Sequence, residues 1–169
     1  MTNILIKYSL LFVICIILQV LIFNPVALFN VAFPIFFIYF IIRLPMDIKL
    51  SLLFSLAFFL GLIIDIFSDT PGVNALACTL IAAVRQPIFF AYVDKDDYTR
   101  HLIPSVTSLG LAQYSKYLLS FVAIYSLLVF IIEYFSFADV QTLVVMVIAS
   151  SLLTFIILLA TDCLIPSKS

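Results

Sequence analysis

The sequence predicts an all-α integral membrane protein, with about six transmembrane helices in one compact bundle and both termini in the cytoplasm. Three observations carry this reading. The first is composition: 66% of the 169 residues are hydrophobic, 10% are charged, and the mean hydropathy is +1.33. A soluble domain carries about 25% charge. A chain this short cannot hide so much apolar surface in its own core, so its solvent is lipid. The second is that the apolar residues fall into six segments parted by short polar or proline-containing turns. The third is the one-sided distribution of the basic residues. One polytopic membrane domain, residues 1–169, accounts for the whole length. A net charge of −1 with no basic patch gives no footing for nucleic acid.

The first segment runs from about Ile4 to Phe23. Asn24-Pro25 ends it, because proline lacks the amide that continues the helix and restricts the residue before it. No small-residue cleavage site follows Gln19, so the segment is expected to be retained as a helix. The second segment runs from Val26 or Phe33 to Leu44. Asn30 and Pro34 interrupt its start, which is expected to be irregular. The third covers about Leu50–Phe67. A turn, Ser68-Asp69-Thr70-Pro71-Gly72, follows, with Asp69 or Thr70 placed to cap the next helix and Pro71 suited to its first turn. The fourth runs from Val73 to Val93. The polar stretch Asp94–His101 reads as a solvated loop, and His101 as a solvated side chain. The fifth extends from Pro104 to Ile132, longer than the roughly 20 residues a span needs, with its first turns in the interface. The sixth runs from Val140 to Leu164.

Six spans deliver Lys7, Arg43, Lys49, Lys95, Arg100 and Lys168 to one side of the membrane. Arg85 and Lys116 lie near that side on their own helices and can snorkel toward it. Asp69, Glu133 and Asp139 collect on the other side, with no basic residue among them. The positive-inside rule then puts both termini in the cytoplasm. A five-span chain lacking the second segment would mix the charges and ranks second.

Helices in lipid associate through close packing of small residues and a few polar contacts. Ala57, Gly61 and Asp65 repeat at four-residue spacing on the third segment and share a face. Gly72, Ala75, Thr79, Ala82 and Gln86 make a small-to-polar stripe on the fourth. The short turn makes the two antiparallel, so Asp65 should face protein, with Asn74 and the first amides of the fourth helix as its donors. The sixth segment carries Ser150, Thr154 and Asp162 on one face, and the first carries Tyr8, Cys15 and Gln19. An ionisable residue inside a membrane is a functional candidate by default. Asp65 has three readings: a cap that fixes the hairpin, a contact for a partner or ligand, or a proton or ion relay. Arg85 is read either as a partner of Asp162 or as a cation reaching water. Cys15, Cys78 and Cys163 stand in apolar runs at unrelated spacings and read as small hydrophobes, not as disulfides or metal ligands.

The chemistry of intramembrane enzymes is missing. The sequence has no His-Glu-x-x-His motif and no Gly-x-Ser-x-Gly elbow with a histidine in reach. Asp65 and Asp162 fall near opposite membrane faces, which separates them as an aspartyl pair. With three glycines in all, no phosphate-cradling loop can be drawn. Repeated polar stripes through several helices, as a channel would need, are also missing. The expectation is a non-enzymatic protein without cofactor or metal.

The run from Leu44-Pro45 through Gly61-x-x-x-Asp65-x-x-Ser68-x-Thr70-x-Gly72-Val73-x-Ala75-Leu76-Ala77 to Ile81-Ala82 resembles the bacterial rod shape-determining protein MreD family. The length, the span order and Leu18-Gln19 near the end of the first segment agree with it. The resemblance implies a multi-pass inner-membrane scaffold subunit of the cell-elongation machinery. It implies binding to MreC, a single-span protein with a periplasmic coiled coil, and through it to MreB, RodA and a penicillin-binding protein in lateral peptidoglycan synthesis. The family signature falls on Gly61, Asp65, Ser68, Thr70, Gly72, Ala75 and Ala77, mostly as hairpin-forming positions. The sequence departs from the family pattern by Asp69-Thr70-Pro71 in the turn, by having no tryptophan, and by lacking a basic C-terminal tail. The alternative is the substrate-binding membrane subunit of an energy-coupling-factor type vitamin transporter, which also has six short spans. A deep polar outer pocket would favour transport, and a shallow apolar groove able to accept one added helix would favour the scaffold.

Overall fold

Long uninterrupted runs of Leu, Ile, Phe and Val leave nothing to break a helix, and lipid gives the backbone no other place to satisfy its hydrogen bonds. The computed structural model describes residues 2–25, 32–93, 102–133 and 140–164, and its regular elements are all helical. These are α1 (Thr2–Leu18), continued by a π-helical turn over Gln19–Phe23, α2 (Ile38–Arg43), α3 (Leu50–Ser68), α4 (Val73–Phe90), α5 (Val106–Leu109), α6 (Leu111–Glu133) and α7 (Val140–Leu164). Five stretches are long and apolar enough to cross a membrane: Ile6–Phe23, Leu50–Ser68, Val73–Phe90, Leu111–Glu133 and Leu143–Leu164. The loop Asp94–His101 lies outside the described residues, as do Asn30, Asp139 and Lys168.

The second apolar segment is the main departure from expectation. It forms no spanning helix. The chain is non-helical through Phe33–Phe36 and then makes only the six-residue α2. Pro34 removes one amide and disfavours the helical conformation at Phe33. Ser150 bonds the Phe33 amide and Asp162 pairs with Arg43. Those partners are about 18 Å apart along α7. The segment therefore passes between the two ends of the bundle with every residue from Pro34 to Leu44 buried. Irregular backbone at this depth is tolerated only inside protein, and here it is enclosed.

Two smaller differences have local causes. The fifth segment is divided at Gly110, whose φ of 78° ends the four-residue α5 before α6 begins. Ser105 caps α5 by accepting the Ser108 amide at 3.2 Å. In α4 the helix continues through Pro87 to Phe90, and the Ala91 amide donates to the Pro87 carbonyl at 3.1 Å.

Helices α3 and α4 form the closest pair, α4 packs on α6, and α6 packs on α7. The core between them holds Phe37, Phe40, Leu53, Leu60, Ile81, Phe89, Tyr117 and Phe121. Large apolar side chains point outward on every long helix, including Leu10, Phe59, Leu80, Leu127 and Ile156. That pattern suits a lipid solvent, where an outward Leu has no penalty.

Candidate functional site

The hairpin between α3 and α4 is built around an absent side chain. A Cβ on Gly61 would stand 2.5 Å from the Ala75 Cα and 2.6 Å from its nitrogen, and closer still to the Asn74 carbonyl oxygen. Only glycine lets the two backbones approach so far. One turn further on, that proximity brings the Asp65 side chain to the start of α4. Its Oδ1 accepts from the Thr70 hydroxyl at 2.9 Å, the Asn74 amide at 2.9 Å and Asn74 Nδ2 at 3.0 Å. Its Oδ2 accepts from the Ala75 amide at 2.9 Å. Asp65 is 5% exposed.

This arrangement replaces an ordinary cap. The N-cap of α4 is Gly72, which has φ 85° and no side chain to offer. The expected cap from Asp69 or Thr70 does not form. Asp69 instead ends α3 in the left-handed region at φ 55°. Thr70 donates to Asp65, and Pro71 precedes the N-cap instead of entering the first turn. A carboxylate from the neighbouring helix supplies the acceptor that the orphan amides of α4 require, with charge of the sign the helix N-terminus favours.

Further contacts surround this carboxylate and the hairpin. Asn74 Nδ2 also reaches the Thr70 hydroxyl at 3.1 Å, and Asn74 Oδ1 accepts from the Tyr125 hydroxyl of α6 at 3.0 Å. Ser68 Oγ accepts from Asn24 Nδ2 at 2.9 Å, which ties the end of α3 to the end of the first span. Ala75 gives its amide to Asp65. Ala77 is fully buried and serves only as packing.

The polar faces of α1 and α7 have a use that their sequences alone did not reveal. They cradle the non-helical segment. Ser150 Oγ accepts the Phe33 amide and Thr154 Oγ1 the Ile35 amide, each at 3.0 Å. Gln19 Oε1 accepts the Phe36 amide at 2.7 Å and the Phe37 amide at 3.4 Å, and its Nε2 donates to the Pro34 carbonyl at 3.1 Å. Since Pro34 has no amide, side chains satisfy every backbone donor from Phe33 to Phe37. The signals in the sequence were Pro34 and the unassigned stripe Ser150-Thr154-Asp162.

At the opposite end, Asp162 Oδ1 accepts from the Tyr39 hydroxyl and pairs with Arg43, both at 3.0 Å, while Oδ2 accepts the Val106 amide at 2.7 Å. Arg85 takes neither expected role. It is fully buried and donates to the carbonyls of Ile42, Leu44 and Pro45, closing the C-terminal end of α2. A cation suits the negative end of a helix. Asp65 and Asp162 thus lie in separate networks at opposite ends of the bundle.

A cavity of about 360 Å³ opens beside the hairpin, between the ends of α1, α3 and α6 and the segment at Phe33–Phe37. A smaller groove of about 220 Å³ runs along α1 between Lys7, Ile14 and Arg43. Among the described residues no cluster of three or more His, Cys, Asp or Glu side chains could hold a metal ion.

The polar groups organise backbone within a helical, membrane-spanning type of protein. Comparison with known proteins adds no closer assignment: no family model matches the chain, and no curated protein or solved structure is significantly similar to it.

Proposed function

We propose that the chain is a non-enzymatic scaffold subunit of the MreD type in a bacterial inner membrane, with both termini cytoplasmic. On this reading it binds a single-span MreC-like partner and so helps organise the elongation machinery, including MreB, RodA and a penicillin-binding protein. The observation that carries the proposal is the hairpin. The signature residues that resemble the family, Gly61, Asp65, Ser68, Thr70, Gly72 and Ala75, are all engaged in internal structure. The one buried carboxylate among them accepts four hydrogen bonds, all from the hairpin itself. Outside this network the long helices present apolar surface suited to lipid or to another transmembrane helix.

Co-expression with an MreC-like single-span protein tests the reading. A detergent-stable complex is expected, together with reporter tags at both chain ends responding from the cytoplasm. A chain that elutes alone, or tags that report from opposite sides of the membrane, would overturn it. The cavity of about 360 Å³ favours one second reading, a vitamin-capturing transport subunit. Its size falls within the usual range of small-molecule pockets. Tight vitamin binding by the isolated chain would select this reading over the scaffold.

A further inference from the structure

The cavity beside the hairpin has an electrostatic character that follows from how the helices end. Phe23, Phe33, Phe37, Phe67 and Phe130 contribute phenyl rings to its wall, and Glu133 lies at its rim. No Lys or Arg among the described residues lines it. The Glu133 carboxylate is exposed and makes no hydrogen bond or ion pair among the described residues. Phe33 and Phe130 stand 6.3 Å apart at 52°, forming an angled pair of faces.

Three helix ends reach the cavity: the first span through Phe23, α3 through Ser68, and α6 through Glu133. All three are C-termini, the ends at which the helix dipole is negative. One N-terminus, that of α4, also borders the space through Asn74. Its amides are already taken by the Asp65 carboxylate, so its positive end is neutralised. Aromatic rings, helix C-termini and a carboxylate all attract the same kind of ligand, an organic cation. Gln19, Asn24, Ser68, Thr70 and Asn74 add neutral polar groups to the same lining.

We propose that this cavity binds an organic ammonium group, held by the phenyl rings and Glu133. Two sources share that chemistry: a soluble amine and the headgroup of an amine-bearing lipid. The proposal does not rest on the scaffold reading, since binding of a small cation needs no partner protein.

The test uses the full chain in a neutral maltoside detergent, with binding followed by saturation-transfer NMR and calorimetry. The probes are choline, ethanolamine and 3,3-dimethylbutan-1-ol, the neutral isostere of choline. Saturable binding of choline or ethanolamine is expected, with the isostere at least about tenfold weaker, as loss of a cation–π and carboxylate contact implies. Glu133→Gln should weaken the cations about tenfold and leave the isostere unchanged. That side chain is exposed and makes no hydrogen bond or ion pair among the described residues, so the variant is expected to retain its fold, which its elution profile and helical circular dichroism will check. Equal binding of cation and isostere, undiminished cation binding in the variant, or no saturable cation binding would each overturn the proposal. Nanodiscs then separate the sources. Phosphatidylethanolamine discs that suppress probe binding relative to phosphatidylglycerol discs identify a lipid headgroup as the occupant. Equal binding in both identifies a soluble amine.

Discussion

Replacing Gly61 with alanine probes the hairpin most directly. The added Cβ would stand 2.5 Å from the Ala75 Cα, whereas ordinary contact begins at 3.4 Å. All three atoms it would meet, the Ala75 Cα and nitrogen and the Asn74 carbonyl oxygen, are backbone, so no side chain can swing aside. Helices α3 and α4 must therefore part by about 0.9 Å near this point, an overpacking that costs about 1–3 kcal/mol. The displacement does not stop there. Asp65 lies one turn away, and its bond from the Ala75 amide is 2.9 Å long. Lengthened by about the same amount it leaves hydrogen-bonding range. A bond to a charged group is worth about 1.5–3 kcal/mol. Together the two effects predict a loss of about 2.5–6 kcal/mol. The assay is unfolding by sodium dodecyl sulfate in mixed micelles, followed by circular dichroism. Two controls frame it. Leu62→Ala alters an exposed side chain on the same helix and should change little. Gly72→Ala meets open space but keeps φ near 85°, so it should lose only about 1–2 kcal/mol of left-handed strain. If Gly61→Ala unfolds within about 0.5 kcal/mol of the unaltered chain, or less steeply than Gly72→Ala, the close approach does not organise the hairpin.

The same unfolding assay measures two further expectations. Gln19→Leu strips acceptors from the Phe36 and Phe37 amides and should destabilise by about 2–4 kcal/mol, while Thr154→Val exposes only the Ile35 amide and should cost about 1–3 kcal/mol. Asp162→Leu leaves Arg43 as an unpaired buried cation and should cost about 3–5 kcal/mol; adding Arg43→Leu should restore much of it, and a double variant no more stable than the single one would argue against the pairing.

Much of the hairpin was legible in the sequence because its rules are local. Four-residue spacing put Gly61 and Asp65 on one face, a five-residue turn set the antiparallel pairing, and an acid in an apolar run required donors nearby. The cap itself was misassigned to the turn, since Asp69 adopts φ 55° to end α3 and cannot also serve α4. The long helices were equally plain, and the charge asymmetry places Lys7 and Arg43 together and Glu133 at the far end, as the groove and cavity linings do. The second segment was not legible because hydropathy records only burial. Composition cannot discriminate there: Ile35, Phe36, Phe37 and Ile38 are apolar whether the backbone is helical or extended. What decides the matter is a set of acceptors on Gln19, Ser150 and Thr154, distant in sequence and matched only in the folded bundle. Arg85 was misread for the same reason, as its acceptors are main-chain carbonyls that no side-chain pattern announces.

The non-helical stretch has a consequence for how the chain is made. Synthesis delivers Phe33 and Ile35 long before their acceptors, which follow 117 and 119 residues later. A bare amide in hydrocarbon costs several kcal/mol, so the stretch cannot wait in lipid in its final form. Its Phe33 and Ile35 amides meet these acceptors only once the last span has been made. One of the earliest segments of the protein thus depends on the latest for its polar partners, and truncation before Ser150 leaves the Phe33 and Ile35 amides without them.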